Sequence, residues 1–206
     1  MDLPNELFSV GRSRWLHITG ISLWVSSNSR EMIAQAISLA KAANWKISFD
    51  VNHRALLCSP TDARNFSQSI VETADLVFVP RRDAVQLWQL DASKPDDEIL
   101  KEMVAIRSGR PTVMTLSNRG AMAADSSDIV MQSIDPVEPI GRLGGGDAFS
   151  AGYLSAWLDG KDLTEALRWA TASARLKYSI PGDLPLIDRA EVERLLAGNP
   201  IDSLRR

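Results

Sequence analysis

The chain has 206 residues, 45% of them hydrophobic, which is enough for one domain built around a sizeable core. Its 23 Lys and Arg against 26 Asp and Glu give a net charge of −3, and that mild acidity argues against a nucleic-acid binder, which needs a basic face. Cys58 is the only cysteine, so an intrachain disulfide is excluded, and Cys58 with His17 and His53 leaves too few ligands for a His/Cys zinc site. Met1 to Val10 carries acids and a proline where a signal peptide needs an apolar stretch, and no apolar run is long enough to span a membrane. The class expected is a cytoplasmic globular enzyme with neither nucleic acid nor membrane as a partner.

Strand and helix signals alternate along the chain. Trp15 to Thr19 reads as a short strand. Asn28 with Glu31 predicts a capping box, after which Met32, Ile33, Ala36, Ile37 and Ala40 fall at helical spacing. Lys46 to Asp50 reads as the next strand. Ser59 before Pro60 predicts an N-cap and first helical residue, with the helix running to about Thr73. Leu76 to Val79 is a buried strand, Asp83 to Trp88 a short helix, and Pro95 to Ile106 a helix with three acids in its first turn. Pro111 to Leu116 is a further strand, with Gly120 to Ala124 as its hairpin partner.

Helix signals dominate from there to the C-terminus. One helix starts near Asp147 and stops at Asp159-Gly160; others start at Asp162, with Glu165 in the capping-box position, and at Asp188, with Glu191 in that position. The chain after Gly198 is expected to fray. Strands alternating with helices imply right-handed βαβ units and a mostly parallel sheet covered on both faces. No internal repeat or linker interrupts the pattern, so residues 1–206 read as a single domain.

The stretch most tied to chemistry is Gly144-Gly145-Gly146-Asp147, at the start of a largely apolar helix. Glycines let a backbone approach a ligand closely, and a helix N-terminus offers unpaired N–H groups that suit phosphate. A carboxylate beside such an anion site is badly placed to bind the anion, but well placed to take a proton from a hydroxyl attacking it. The pattern therefore suggests phosphoryl transfer to an alcohol, with Asp147 as base and the glycine amides holding developing negative charge. On pattern alone, a glycine-rich turn with Asp147 as a helix cap accounts for the stretch equally well. Neither a G-x-x-x-x-G-K-[ST] loop nor a strand-linked G-x-G-x-x-G is present.

Ile140 to Tyr153 resembles the C-terminal signature of the ribokinase-like (PfkB) carbohydrate kinases. Leu16 to Ile21, Ser48 to Arg54 and Leu176 to Asp183 are similar to blocks of the 2-keto-3-deoxygluconate kinases, in the same order and with similar spacing. The resemblance implies a three-layer α/β/α ribokinase-like fold with a mostly parallel central sheet. It implies an ATP- and Mg2+-dependent kinase acting on a sugar acid such as 2-keto-3-deoxygluconate. In it, Gly144, Gly145 and Gly146 form the anion hole and Asp147 is the catalytic base. Arg54 contacts the keto acid, its fork suiting a carboxylate, and Asn52 lies near the nucleotide phosphates. Ser117, Asn118, Arg119 and Gly120 border ATP, and Asp183 is a further substrate contact. Taken without the resemblance, Arg54 reads as a surface arginine, Ser117 to Gly120 as a hairpin turn and Asp183 as a turn acid. His53 is a loop residue, since Asp147 fills the role of base.

The chain departs from the family pattern in four places. Gly141 stands where an Asp is usual, at a position that in some relatives helps bind a monovalent cation. Pro80-Arg81-Arg82-Asp83 replaces Asn-x-x-Glu, leaving Asp83 as the one carboxylate there for a metal. Ser117 replaces a glycine. The N-terminal strand–helix units and the β lid of the family have no counterpart, which would leave the site open to solvent and a sheet edge free for a second copy or a complementing chain. These departures keep a second reading open: a nucleotide-binding pseudokinase or inactive remnant.

Overall fold

A computed structural model of the chain describes residues 3–8, 15–134, 140–141 and 143–198. The chain beyond Gly198, expected to fray, lies outside the described residues, as does Arg142 of the glycine motif. The chain divides into two compact units. The first is Met1–Thr115 with Ala124–Asp128; the second is Leu116–Ala123 with Ile129–Arg206.

The first unit is an α/β arrangement built on four strands: β1 (Trp15–Thr19), β2 (Lys46–Asp50), β3 (Leu76–Pro80) and β4 (Thr112–Thr115). They lie in chain order and are parallel, with Thr19 beside Asp50, Asp50 beside Phe78, and Phe78 beside Val113. Parallel neighbours need a crossover, and the helical segments supply one each time. These helices are α1 (Gly20–Val25) and α2 (Ser27–Ala42), then α3 (Pro60–Thr73), then α4 (Arg81–Trp88) and α5 (Asp96–Ile106). Successive strand residues point to opposite faces. Leu76, Val77, Phe78 and Val79 are all buried, so β3 is covered on both sides, as its unbroken apolar run requires.

Two details differ from the sequence expectation. The N-cap of α2 is Ser26 and not Asn28: Ser26 Oγ accepts from Ser29 N at 3.1 Å, and Ser29 Oγ accepts in return from Ser26 N at 3.2 Å. The extended backbone of Ser26 ends α1 and opens α2 at one residue, which leaves Asn28 already inside the helix. The α1 helix itself carries too weak a signal to be read from the sequence. It is one and a half turns of mixed residues, and it forms because Leu23 and Trp24 are buried. Elsewhere Ser59 caps α3 with Pro60 behind it, as expected.

The second unit holds β5 (Ala121–Ala124, its first three residues), β6 (Ile129–Gln132), α6 (Gly145–Leu158), α7 (Leu163–Tyr178) and α8 (Arg189–Leu196). Asp188 with Glu191 forms a complete capping box on α8, as predicted. Asp162 caps α7 by accepting from Glu165 N, but Glu165 does not close the predicted box, because its carboxylate pairs with Arg168 one turn on. Strand β6 is not legible among the helix signals, because four residues, three half-buried and Met131 exposed, carry too short a pattern. The α6 and α7 helices pack closely. A Cβ built on Gly152 would lie 2.4 Å from Ser173 Oγ and 2.8 Å from the Trp169 carbonyl.

Candidate active site

In the second unit the glycine run and its acid form the mouth of α6. Gly144 is the N-cap, with φ of +75°, a left-handed conformation that favours glycine. Its carbonyl accepts from Ala148 N at 2.9 Å, which closes the first turn. The amides of Gly145, Gly146 and Asp147 precede that bond and have no intrahelical acceptor. Three N–H groups and the positive end of a 14-residue helix therefore meet at one place, with no side-chain cap on them. Asp147 is the third helical residue, not the cap. Its side chain is exposed and makes no hydrogen bond among the described residues.

The loop is held from behind by the C-terminal end of α7. A Cβ on Gly145 would sit 2.5 Å from Tyr178 Cε1, so only glycine fits against that ring. Ile140 N donates to the Tyr178 carbonyl at 2.8 Å, tying the approach segment to the same residue. Asp183 is brought to the loop by its backbone: a Cβ on Gly144 would be 2.4 Å from the Asp183 carbonyl oxygen. The Asp183 side chain is exposed.

Ser117, Asn118 and Arg119 make a single 3-10 turn, with all three side chains exposed. Leu116 N donates to the Gly120 carbonyl at 2.8 Å and closes that turn. A cleft of about 170 Å³ between α6, α7 and α8, lined by Ala148, Gly152, Trp169 and Val192 among others, is largely apolar, and Asp147 does not line it.

In the first unit Asn52, His53, Arg54 and Asp83 cluster after the ends of β2 and β3. The C-terminal ends of parallel strands are where open α/β sheets bind ligands. Asn52 takes φ of +39° and its side-chain amide donates to Thr19 Oγ1 at 3.3 Å. His53 is buried. Its backbone N–H donates to Asp83 Oδ2 at 3.0 Å and its Nε2–H to the Cys58 carbonyl at 2.9 Å. Asp83 is fully buried and also accepts from Arg82 Nε at 2.9 Å. In this structure it holds the Asn52–Arg54 turn. The Arg54 side chain is exposed and makes no hydrogen bond among the described residues. Pro80, the N-cap of α4, supplies no side-chain hydrogen bond.

Sequence reasoning missed Lys177. It is fully buried, and its Nζ donates to the Ile180 carbonyl at 3.2 Å and the Gly182 carbonyl at 2.8 Å. The signal was present: Leu163, Ala166, Leu167, Ala170 and Ala174 fall at helical spacing, and Lys177 continues the same face. A lysine on the apolar face of a helix needs a reason to be there.

Residues 5–186 match the pfkB family of carbohydrate kinases. The 2-dehydro-3-deoxygalactonokinase of Haloferax volcanii is 30% identical over 182 residues, covering 88% of this chain and 57% of that protein. Among solved structures, the 2-dehydro-3-deoxygluconokinase of Thermotoga maritima superposes with a TM-score of 0.83 at 22% identity, over 90% of this chain and 61% of that one. An Escherichia coli protein described as ribokinase II, in complex with ATP and Mg2+, gives 0.82 at 20% identity, over 96% and 62% respectively. The structural likeness shows the ribokinase-like α/β fold. The chain spans less than two thirds of the length of each of these proteins.

Proposed function

The chain belongs to the pfkB family of carbohydrate kinases, and from that membership we propose that it transfers the γ-phosphoryl group of ATP to a hydroxyl of a sugar acid, 2-keto-3-deoxygluconate or a close isomer. The observation that carries this reading is the mouth of α6, where the amides of Gly145, Gly146 and Asp147 have no intrahelical acceptor and the Asp147 carboxylate is exposed, with no hydrogen bond among the described residues. The acceptor hydroxyl gives its proton to Asp147 as its oxygen bonds to the γ-phosphorus, and the bond to the ADP oxygen breaks. The amides of Gly145, Gly146 and Asp147 hold the charge that develops on the transferring group.

The residues present fit magnesium as a companion of the nucleotide. Among the described residues no group of three or more His, Cys, Asp or Glu is placed to cage an ion, and both Asp83 oxygens are engaged. Magnesium bound through phosphates would neutralise their charge. Arg54 suits the carboxylate of the sugar acid, and Arg54→Ala is expected to raise KM for that substrate about tenfold with kcat little changed. The Asn52 turn and the Ser117–Gly120 turn supply further contacts to the nucleotide.

A coupled ADP assay with Asp147→Asn tests the chemistry. Turnover is expected to fall by a factor of about a hundred or more while Mg-ATP binding, followed by calorimetry, persists. Full activity in that variant overturns the assignment of the base. Pro80 favours a second reading, nucleotide binding without turnover, since no amide stands where the resembling kinases place one. Wild-type protein that binds Mg-ATP and yields no ADP with any sugar acid leaves only that reading.

A further inference from the structure

Lys177 is a buried cation that the proposed chemistry does not use. An ammonium has three N–H donors, and two of them reach the carbonyls of Ile180 and Gly182. The third has no acceptor, and no carboxylate pairs with the charge, among the described residues. Burying an uncompensated ammonium is strongly unfavourable, and two carbonyl dipoles offset only part of it. Arg107, also fully buried, differs in this respect, since its guanidinium is ringed by backbone carbonyls from three directions.

What lies beside Lys177 is the anion loop. A Cβ built on Gly144 would be 3.2 Å from Lys177 Cε, so the lysine stem runs directly behind the N-cap of α6. Both acceptors of its ammonium belong to the Ile180–Asp183 turn, whose Asp183 carbonyl presses on the same Gly144. The lysine therefore joins the two pieces of backbone that shape the loop, and places a fixed positive charge behind its amides.

We propose that Lys177 is a positioning residue for a phosphate-bearing ligand: it locks the Ile180–Asp183 turn against Gly144 and raises the anion affinity of the α6 N-terminus. A bound phosphate would supply the negative charge that the buried ammonium lacks. The inference rests on the kinase reading only for the identity of the ligand as a nucleotide. Anion binding at the loop is a property of the second unit whether or not turnover follows.

The test is calorimetric titration of the full chain with inorganic pyrophosphate and with Mg-ADP. Lys177→Met keeps the length of the side chain without its charge, and Lys177→Ala leaves room for the lost atoms. Both variants are expected to bind either ligand about tenfold more weakly or worse, because the charge behind the amides and the two bonds that lock the turn are lost together. Millimolar propylammonium, which replaces the deleted carbons and nitrogen, is expected to restore binding in Lys177→Ala and not in Lys177→Met. A structural role alone would not produce that difference. Unchanged affinity in both variants, or no selective rescue, overturns the proposal. Should both variants fail to fold, 15N-lysine-labelled wild-type protein decides: the Lys177 Nζ resonance is expected to shift on pyrophosphate binding, and an unmoved resonance overturns it. Wild-type protein that binds neither ligand overturns it as well. Pyrophosphate binding without turnover would leave the role of Lys177 standing and remove the kinase reading.

Discussion

At the scale of single residues, the three glycines of the loop have different reasons to be glycine, and substitution separates them. Gly145 meets the Tyr178 ring at 2.5 Å once a Cβ is added, whereas Gly146 has nothing within 4 Å. Gly145→Ala is expected to lower stability by about 1–3 kcal/mol through overpacking. Gly146→Ala, on the first turn of a helix, is expected to leave the thermal midpoint unchanged or slightly higher. Pyrophosphate titration should then show weakened binding for Gly146→Ala despite its intact fold, because the added methyl crowds the open face of the amides. Cys58 offers a second residue-scale check. Burial, with the nearby Asp62 carboxylate adding to it, raises its thiol above the ordinary range. A raised value means less thiolate at pH 8, so alkylation by iodoacetamide there is expected to be slower than that of a free thiol.

At the scale of elements, the ends of the helices carry most of what can be tested. Ser26→Ala should lower stability by about 1 kcal/mol in chemical denaturation, because Ser26 accepts the Ser29 amide, while Asn28→Ala should change it by only a few tenths. Equal effects would mean that the capping assignment is wrong. The α6–α7 crossing offers another test. Gly152→Ala forces a Cβ against Ser173 Oγ and the Trp169 carbonyl, and backbone cannot yield as a side chain can. It is expected to cost at least about 1–3 kcal/mol. Because the same two helices set the distance between the loop and its Lys177–Tyr178 support, anion affinity should fall with it.

At the scale of the whole molecule, one buried residue gathers the first unit. Arg107, just past the end of α5, donates to the Val71 carbonyl at 2.9 Å, the Ala74 carbonyl at 2.7 Å and Thr112 Oγ1 at 2.7 Å, and also to the Pro111 carbonyl. It thus ties the end of α3 and the start of β4 to α5. Burial, with Arg110 beside it, pushes its guanidinium down to about 9, a sign of how far it is removed from water. Arg107→Met leaves several carbonyls without donors, and a loss of about 3 kcal/mol or more is expected from denaturant midpoints. Arg107→Lys should recover little of it, since one ammonium cannot reproduce the planar fork.

The sequence by itself determined the order of the main elements and the glycine–acid stretch at the start of α6. Its apolar runs and periodicities are local, and Ser59, Asp162 and Asp188 announce helix starts within three residues of chain. Gly144 to Asp147 was legible for the same reason, since glycines, an acid and a helix start are contiguous. Short elements such as α1 and β6 were not, because each forms only when neighbours bury it. The tertiary structure alone decided that Asp147 is free of capping, that Asp83 is turned inward to hold the Asn52 turn, and that Lys177 stands behind Gly144. The first depends on where the backbone of Gly144 turns, and the other two on groups that meet across 30 or more residues of chain, which no pattern of spacing along one segment encodes.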